Sequence, residues 1–200
     1  MPDDPVEPLQ PWLDRHRAGD PAAHDGLIRH SQDRLRLLTR QMLRHYPHVR
    51  RWEDTSDVFQ NVLIRLDRAL RDTAPPTPAD FLRFAAALVR RELIDLARHH
   101  FGPEGAGRHH DTPAGGPDAP RPDPPAPADD PYRLAVWHEL HQYIAALPDG
   151  DRTLFDLLYY QGLTQPAAAE LLAVPLRTFK RRWQEARLRL AARFGDDPPV

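Results

Sequence analysis

The sequence contains no cysteine, which excludes disulfide cross-links, thiolate metal ligands and thiol nucleophiles. It contains one lysine, Lys180, so its basic chemistry rests almost entirely on arginine. No apolar run approaches the ~20 residues needed to span a bilayer. The opening stretch, MPDDPVEPLQPW, is acidic and proline-rich rather than basic and then apolar, so no secretory leader and no membrane partner are expected, and the expected location is cytoplasmic. Net charge is only −2, so bulk electrostatics call for no partner, and any nucleic-acid role must come from local segregation of charge. Glycine-rich phosphate loops, a serine nucleophile elbow and a catalytic carboxylate pair are all missing. The expectation is a protein that is not an enzyme and has neither cofactor nor small-molecule substrate.

Histidines invite a metal reading that the spacing does not support. In HELH the imidazoles of His138 and His141 are three residues apart, whereas the zinc-protease motif needs four, with its glutamate next to the first histidine. His99, His100, His109, His110 and Asp111 gather around a glycine-rich stretch that fixes no coordination geometry. No metal site is expected.

What the sequence does have is proline, 23 of them, unevenly spread. Residues 101–131 read FGPEGAGRHHDTPAGGPDAPRPDPPAPADDP, too poor in large apolar side chains to offset the entropy of ordering them. This is a linker, part flexible and part polyproline-like. It divides the chain into a tail (1–19), a helical block (20–100), the linker (101–131), a second helical block (132–195) and a short end (196–200). No strand alternation and no internal repeat appear, so the fold class expected is all-α, two small helical domains joined by the linker.

The first block holds three helical stretches. Over residues 22–46, Leu27, Ile28, Leu35, Leu38 and Leu43 recur at helical spacing, and Pro47 closes the stretch. Over residues 56–72, with Thr55 or Ser56 as cap, Val58, Val62, Leu66 and Ala69 mark a core face. Asp57, Gln60, Asn61 and Ile64 form a second, mixed stripe: either the edge of the core or a docking face. The third stretch runs from Thr77 through TPADFLRFAAALVRRELIDLARHH, with Phe81, Phe84, Ala85, Leu88 and Leu96 as its core stripe and Arg83, Arg90, Arg91 and Arg98 elsewhere. A four-spaced Arg91–Asp95 ion pair would partly neutralise these cations, so surface pairing and nucleic-acid contact account for them equally.

The second block holds four helices, over residues 132–146, 151–160, 164–172 and 176–194. The last two form the sharpest local feature. Thr164 caps a short helix, Ala173, Val174 and Pro175 make a turn, and a long helix follows with Leu176, Phe179, Trp183, Ala186 and Leu190 on one stripe. Arg177, Thr178, Lys180, Arg181 and Arg182 lie off that stripe, and seven basic residues between 177 and 193 face the single acid Glu185. A helix-turn-helix presents the start of its second helix to base edges and uses flanking cations on phosphates. A solvated arginine-rich helix would carry the same charges, but without the short-helix–turn–helix arrangement.

Three stretches in order then resemble a known family. SDVFQNVLIRL (56–66), FLRFAAALVRRELIDLAR (81–98) and ALPDGDRTLFDLLYYQGLTQPAAAELLAVPLRTFKRRWQEARLRL (146–190) are similar to the conserved segments of bacterial sigma factors of the extracytoplasmic-function (ECF) class. The resemblance implies a three-helix sigma region 2-like bundle and a four-helix sigma region 4-like domain. It implies core RNA polymerase as partner through its β′ clamp helices and β subunit, with Asp57, Gln60, Asn61, Ile64 and Arg65 as the polymerase-binding face. Promoter DNA is the second implied partner. Arg83, Arg90, Arg91 and Arg98 would serve the −10-type element, and Thr164, Arg177, Thr178, Lys180, Arg181 and Arg182 the −35-type element. An anti-sigma factor is a further partner the family admits. The alternative reading is a helix-turn-helix regulator that binds DNA without polymerase. This chain departs from the family pattern at Arg91, where asparagine is common, at Ala173 in place of a turn glycine, and at Pro175 in place of a serine cap.

Overall fold

The computed structural model describes residues 9–43, 55–101 and 131–195, and every regular element among them is helical. In chain order these are α1 (Leu9–Arg17), α2 (Pro21–Leu43), α3 (Thr55–Asp72), α4 (Pro78–Phe101), α5 (Pro131–Ala146), α6 (Asp149–Phe155), which runs directly into a π-helical turn (Asp156–Tyr160), α7 (Gln165–Leu171) and α8 (Leu176–Phe194). The all-α expectation holds. The proline-rich stretch 102–130, with His109, His110 and Asp111, and the expected helix end at Pro47 lie outside the described residues.

The first block has one helix more than the sequence reading expects. Residues 1–19 read as a tail, yet α1 forms within them and buries Leu9 and Leu13 against α2 and α4. Nine residues with an internal proline leave too little periodicity to detect. Pro11, however, lies in the first turn, where its missing N–H costs no helical bond. The seat for α1 is cut by Gly26 of α2: a Cβ there would stand 2.4 Å from Cζ3 of Trp12.

Helix α3 buries Val58, Val62 and Leu66 as expected, but the last core position is Leu70, and Ala69 is only half-buried. Helix α4 starts on a reciprocal cap, Asp80 N–H donating to Thr77 Oγ1 and that hydroxyl donating to Asp80 Oδ2 at 2.7 Å. Its expected core stripe, Phe81, Ala85 and Leu96 with Phe84 and Leu88 half-buried, is one of two. Leu82, Ala86, Val89, Leu93 and Ala97 are also buried, at steps of three and four residues. Helix α4 is therefore covered on both sides, by α1 and α3 on one and by α5 and the π-helical turn on the other.

The second block is built around Trp137, Leu140 and Ile144 of α5, Leu154 and Phe155 of α6, Leu157 and Tyr160 of the π-helical turn, and Phe179, Ala186 and Leu190 of α8. His141 is buried among them, its Nδ1 2.5 Å from the Tyr160 hydroxyl. Burial pushes the Tyr160 phenol up, so it stays protonated, and the hydroxyl and Nδ1 share a hydrogen bond. Burial, then the nearby charges of Arg90 and His138, push the imidazole down to about 3.

Gly26→Ala gains about 1 kcal/mol of helix propensity but overpacks Trp12, a cost of about 1–3 kcal/mol. Denaturant unfolding should show a net loss of stability in the native chain and a gain when the same change is made in a Trp12→Ala background. For His141 the folded pKa lies below the unfolded value of about 6.5. Its contribution is therefore complete above that pH and is lost as pH falls toward about 3. Stability measured by urea unfolding should drop by about 2 kcal/mol between pH 7 and pH 5, and His141→Gln should flatten that dependence while lowering stability at pH 7.

Candidate functional site

Three surfaces carry the residues that the sequence singles out. The first is the outer stripe of α3. With Val58, Val62 and Leu66 turned inward, Asp57, Gln60, Asn61 and Ile64 are exposed, Ile64 to 46%. A β-branched aliphatic side chain this open, one helical turn from polar groups, gives the stripe an apolar spot among polar neighbours. Arg65 differs from its neighbours. It is half-buried, with Nε 2.6 Å from Glu92 and Nη2 2.7 Å from Asp95, and so ties α3 to α4. The four-spaced Arg91–Asp95 pair expected from sequence does not form; Asp95 pairs with Arg65 of α3 instead.

The second surface is α4. Its four arginines separate into two pairs, each spaced by seven residues. Arg91 and Arg98 are exposed. Arg83 and Arg90 instead meet the second block. Arg90 Nη1 lies 2.5 Å from Asp156 Oδ1 with both side chains buried, and its guanidinium stacks 5.1 Å from the centre of the Tyr160 ring. Burial pushes the Asp156 carboxyl up, against the pull of Arg90. Arg83 Nη2 lies 2.5 Å from Asp149, which Arg152 also contacts at 2.7 Å, and the two cations hold that carboxyl below its usual range. The spacing of the arginines alone does not distinguish Arg83 and Arg90 from Arg91 and Arg98. The apolar stripe Leu82–Ala86–Val89 beside them is the signal that this face is covered.

The third surface is the helix-turn-helix. Thr164 is the N-cap of α7, its hydroxyl accepting from Ala167 N–H at 3.3 Å, and Pro166 sits in the first turn. Ala168 and Ala169 are buried, and their small size lets α8 cross closely. The turn is a Schellman motif: Val174 N–H bonds Ala169 O at 3.0 Å and Ala173 N–H bonds Glu170 O at 2.9 Å. Ala173 is left-handed, φ 51°, the one non-glycine with positive φ among the described residues. Pro175 takes the N-cap position of α8 with no side-chain acceptor.

Phe179, Ala186 and Leu190 hold α8 down, helped by edge-on ring contacts of Trp183 with Phe155 at 5.1 Å and of Phe194 with Tyr143 at 5.6 Å. Arg189 is anchored to Asp151 at 2.7 Å. Leu176, expected on the buried stripe, is 37% exposed, since the stripe begins only once the helix has passed the turn. Arg177, Lys180, Arg181 and Arg182 are exposed and Thr178 half-exposed, and among the described residues none of these four cations makes an ion pair. The first turn of α8 contains no acid. Unneutralised cations at a helix start, on a helix whose other face is packed, are suited to phosphate and base-edge contacts.

The chain matches the family model for ECF sigma factor over residues 7–196, a span that takes in α1 as well as all three surfaces. A search of the curated proteins finds none that matches the chain.

The left-handed alanine of the turn carries a measurable cost. A Cβ in this conformation costs about 1–2 kcal/mol, partly offset by the greater freedom of glycine in the unfolded chain. Ala173→Gly should therefore raise stability by about 0.5–1 kcal/mol, read as a higher denaturation midpoint at unchanged m-value, with DNA binding retained.

Proposed function

The chain belongs to the ECF sigma factor family, and on that premise we propose how its three surfaces divide the work of transcription initiation. Members of this family act with RNA polymerase at promoter DNA. In this chain the exposed stripe Asp57, Gln60, Asn61 and Ile64, backed by Arg65, docks on the β′ clamp helices of core polymerase. Arg177, Thr178, Lys180, Arg181 and Arg182, with Thr164 positioning α7, take the −35-type element. Arg83, Arg90, Arg91 and Arg98 engage the −10-type element as the strands part, with the β subunit lying along the bound chain. The first helical block and the second act as separate domains on the two elements, and linkage through residues 102–130 raises the effective concentration of each at its own site.

No catalytic step is required of the protein, which contributes binding energy and position. No described helix is long and apolar enough to cross a membrane, and the reading places the protein with the polymerase, in the cytoplasm. The observation that carries this reading is Ile64. An exposed isoleucine flanked by Asp57, Gln60 and Asn61, on a helix whose opposite face is fully packed, serves a protein partner. A helix-turn-helix regulator acting without polymerase leaves that stripe without a use.

Run-off transcription with core polymerase on a library of genomic fragments tests the assignment. Asp57→Arg combined with Ile64→Ala should abolish co-purification with core polymerase while leaving the circular-dichroism melting curve in place. Arg177→Ala, Lys180→Ala and Arg181→Ala together should remove promoter-directed transcription but retain polymerase binding. For each cation taken off a phosphate, the slope of log affinity against log salt should fall by about 0.9. Unchanged promoter use in the triple variant would mean that α8 is not the reading helix.

A further inference from the structure

Between Arg177 and Arg193 helix α8 carries seven cations and a single acid, Glu185. Phe179, Ala186 and Leu190 are buried, with Trp183 half-buried among them. At about 3.6 residues per turn, the direction opposite that stripe is taken by Arg177, Arg181, Gln184 and Glu185, all of them exposed. Lys180 and Arg187 lie on one flank of this outer stripe, Arg182 and Arg189 on the other. The acid therefore stands on the face that α8 turns away from its own domain, with cations on both sides of it.

An acid on a basic helix ordinarily neutralises a cation one turn away. Glu185 has Arg181 and Arg182 one turn before it and Arg189 one turn after it, yet among the described residues it forms an ion pair with none of them. Arg189 is committed to Asp151 instead, at 2.7 Å. Glu185 also lies in mid-helix, out of reach of the positive end of the helix dipole. A carboxylate so placed is repelled by the phosphates of any bound duplex and weakens binding to all of them. That repulsion is offset only where the carboxylate meets a hydrogen-bond donor of the DNA. In the major groove the donor that suits it is the N4 amino group of cytosine.

We propose that Glu185 is a specificity-determining residue of this chain, accepting a hydrogen bond from a cytosine N4 amino group in the upstream promoter element; this rests on the reading of α8 as the helix that meets DNA. A carboxylate selects by repulsion as well as by attraction. Guanine presents acceptors at N7 and O6, thymine an acceptor at O4, and adenine sets an N7 acceptor beside its N6 donor. The arginines of the stripe cannot supply this preference, since their donors favour guanine. Arg181 precedes Glu185 by one turn on the same stripe, a rise of about 6 Å. The selected cytosine therefore falls about two base pairs from the pair that Arg181 meets.

The test selects duplexes from a randomised library with the full chain, both with core polymerase and without it, for wild type and for Glu185→Ala. Glu185 is exposed and alanine is the best helix former, so the variant keeps the fold. Wild type should enrich cytosine at one position of the upstream element, and Glu185→Ala should lose the preference at that position alone. On the best site, changing that C·G pair to T·A should weaken wild type about tenfold and Glu185→Ala less than about twofold. A wild-type site with no such cytosine, or a cytosine preference that persists in Glu185→Ala, would overturn the proposal. A variant that binds all duplexes more tightly with an unchanged preferred sequence would overturn it too, and would make Glu185 a general repulsive charge. If polymerase does not bind, the function proposed above falls, and the sequences selected by the chain alone decide the role of Glu185. If neither form selects a sequence, α8 does not read bases and both proposals fall.

Discussion

A 24-residue helix with apolar positions on two faces has to be covered on both, and α4 imposes that requirement on everything around it. Phe81, Ala85 and Leu96 are met by the helices that precede it in the fold. Leu82, Ala86, Val89 and Leu93 face the other way and would stand in water without α5 and the π-helical turn. At about 25 cal/mol per Å² of apolar surface, exposing such a stripe carries a cost that binding to polymerase and DNA has to offset. The polar contacts at the seam, Arg90 with Asp156 and Gln161 with Arg34 and Leu82 O, set the register of an association that apolar burial drives.

The helix-turn-helix follows the opposite rule. Helix α8 has one buried stripe, and because that stripe is narrow the rest of its surface is left free to carry charge. Phe179 and Leu190 fix where the helix lies; the cations at its start are what it presents. The turn that aims it keeps an alanine in a conformation that glycine would adopt without strain. The geometry of the motif is therefore maintained by its two Schellman bonds and by the packing of Ala168 and Ala169 rather than by the turn residue itself.

Much of this is legible in the sequence, and the reasons for the rest are physical. Periodicity finds α2, α3, α4 and α8 because each has a stripe long enough to repeat several times, and capping chemistry finds Thr164. Helix α1 escapes because nine residues with an internal proline carry only Leu9, Trp12 and Leu13 as signal. The second stripe of α4 is present in the letters, but a helix apolar on two sides reads as apolar on one once its first face accounts for the period. The partners of Arg65, Arg83 and Arg90 lie 27, 66 and 66 residues away in the chain, distances over which spacing rules for neighbouring turns say nothing. An isolated arginine looks the same whether it will meet water, phosphate or an aspartate.

Arg90 sits at a point where two demands on one residue meet. Its guanidinium is matched in charge to Asp156 and in plane to the ring of Tyr160, and it sits on the helix proposed above to meet nucleic acid. A lysine keeps the charge but loses the flat face, and an uncharged residue strands a carboxylate in the interior. Arg91 and Arg98 carry no such obligation. Over evolutionary time, then, variation on α4 has an unequal landscape: the exposed pair is free to drift, while Arg90 can change only together with residues 66 or more positions further along the chain.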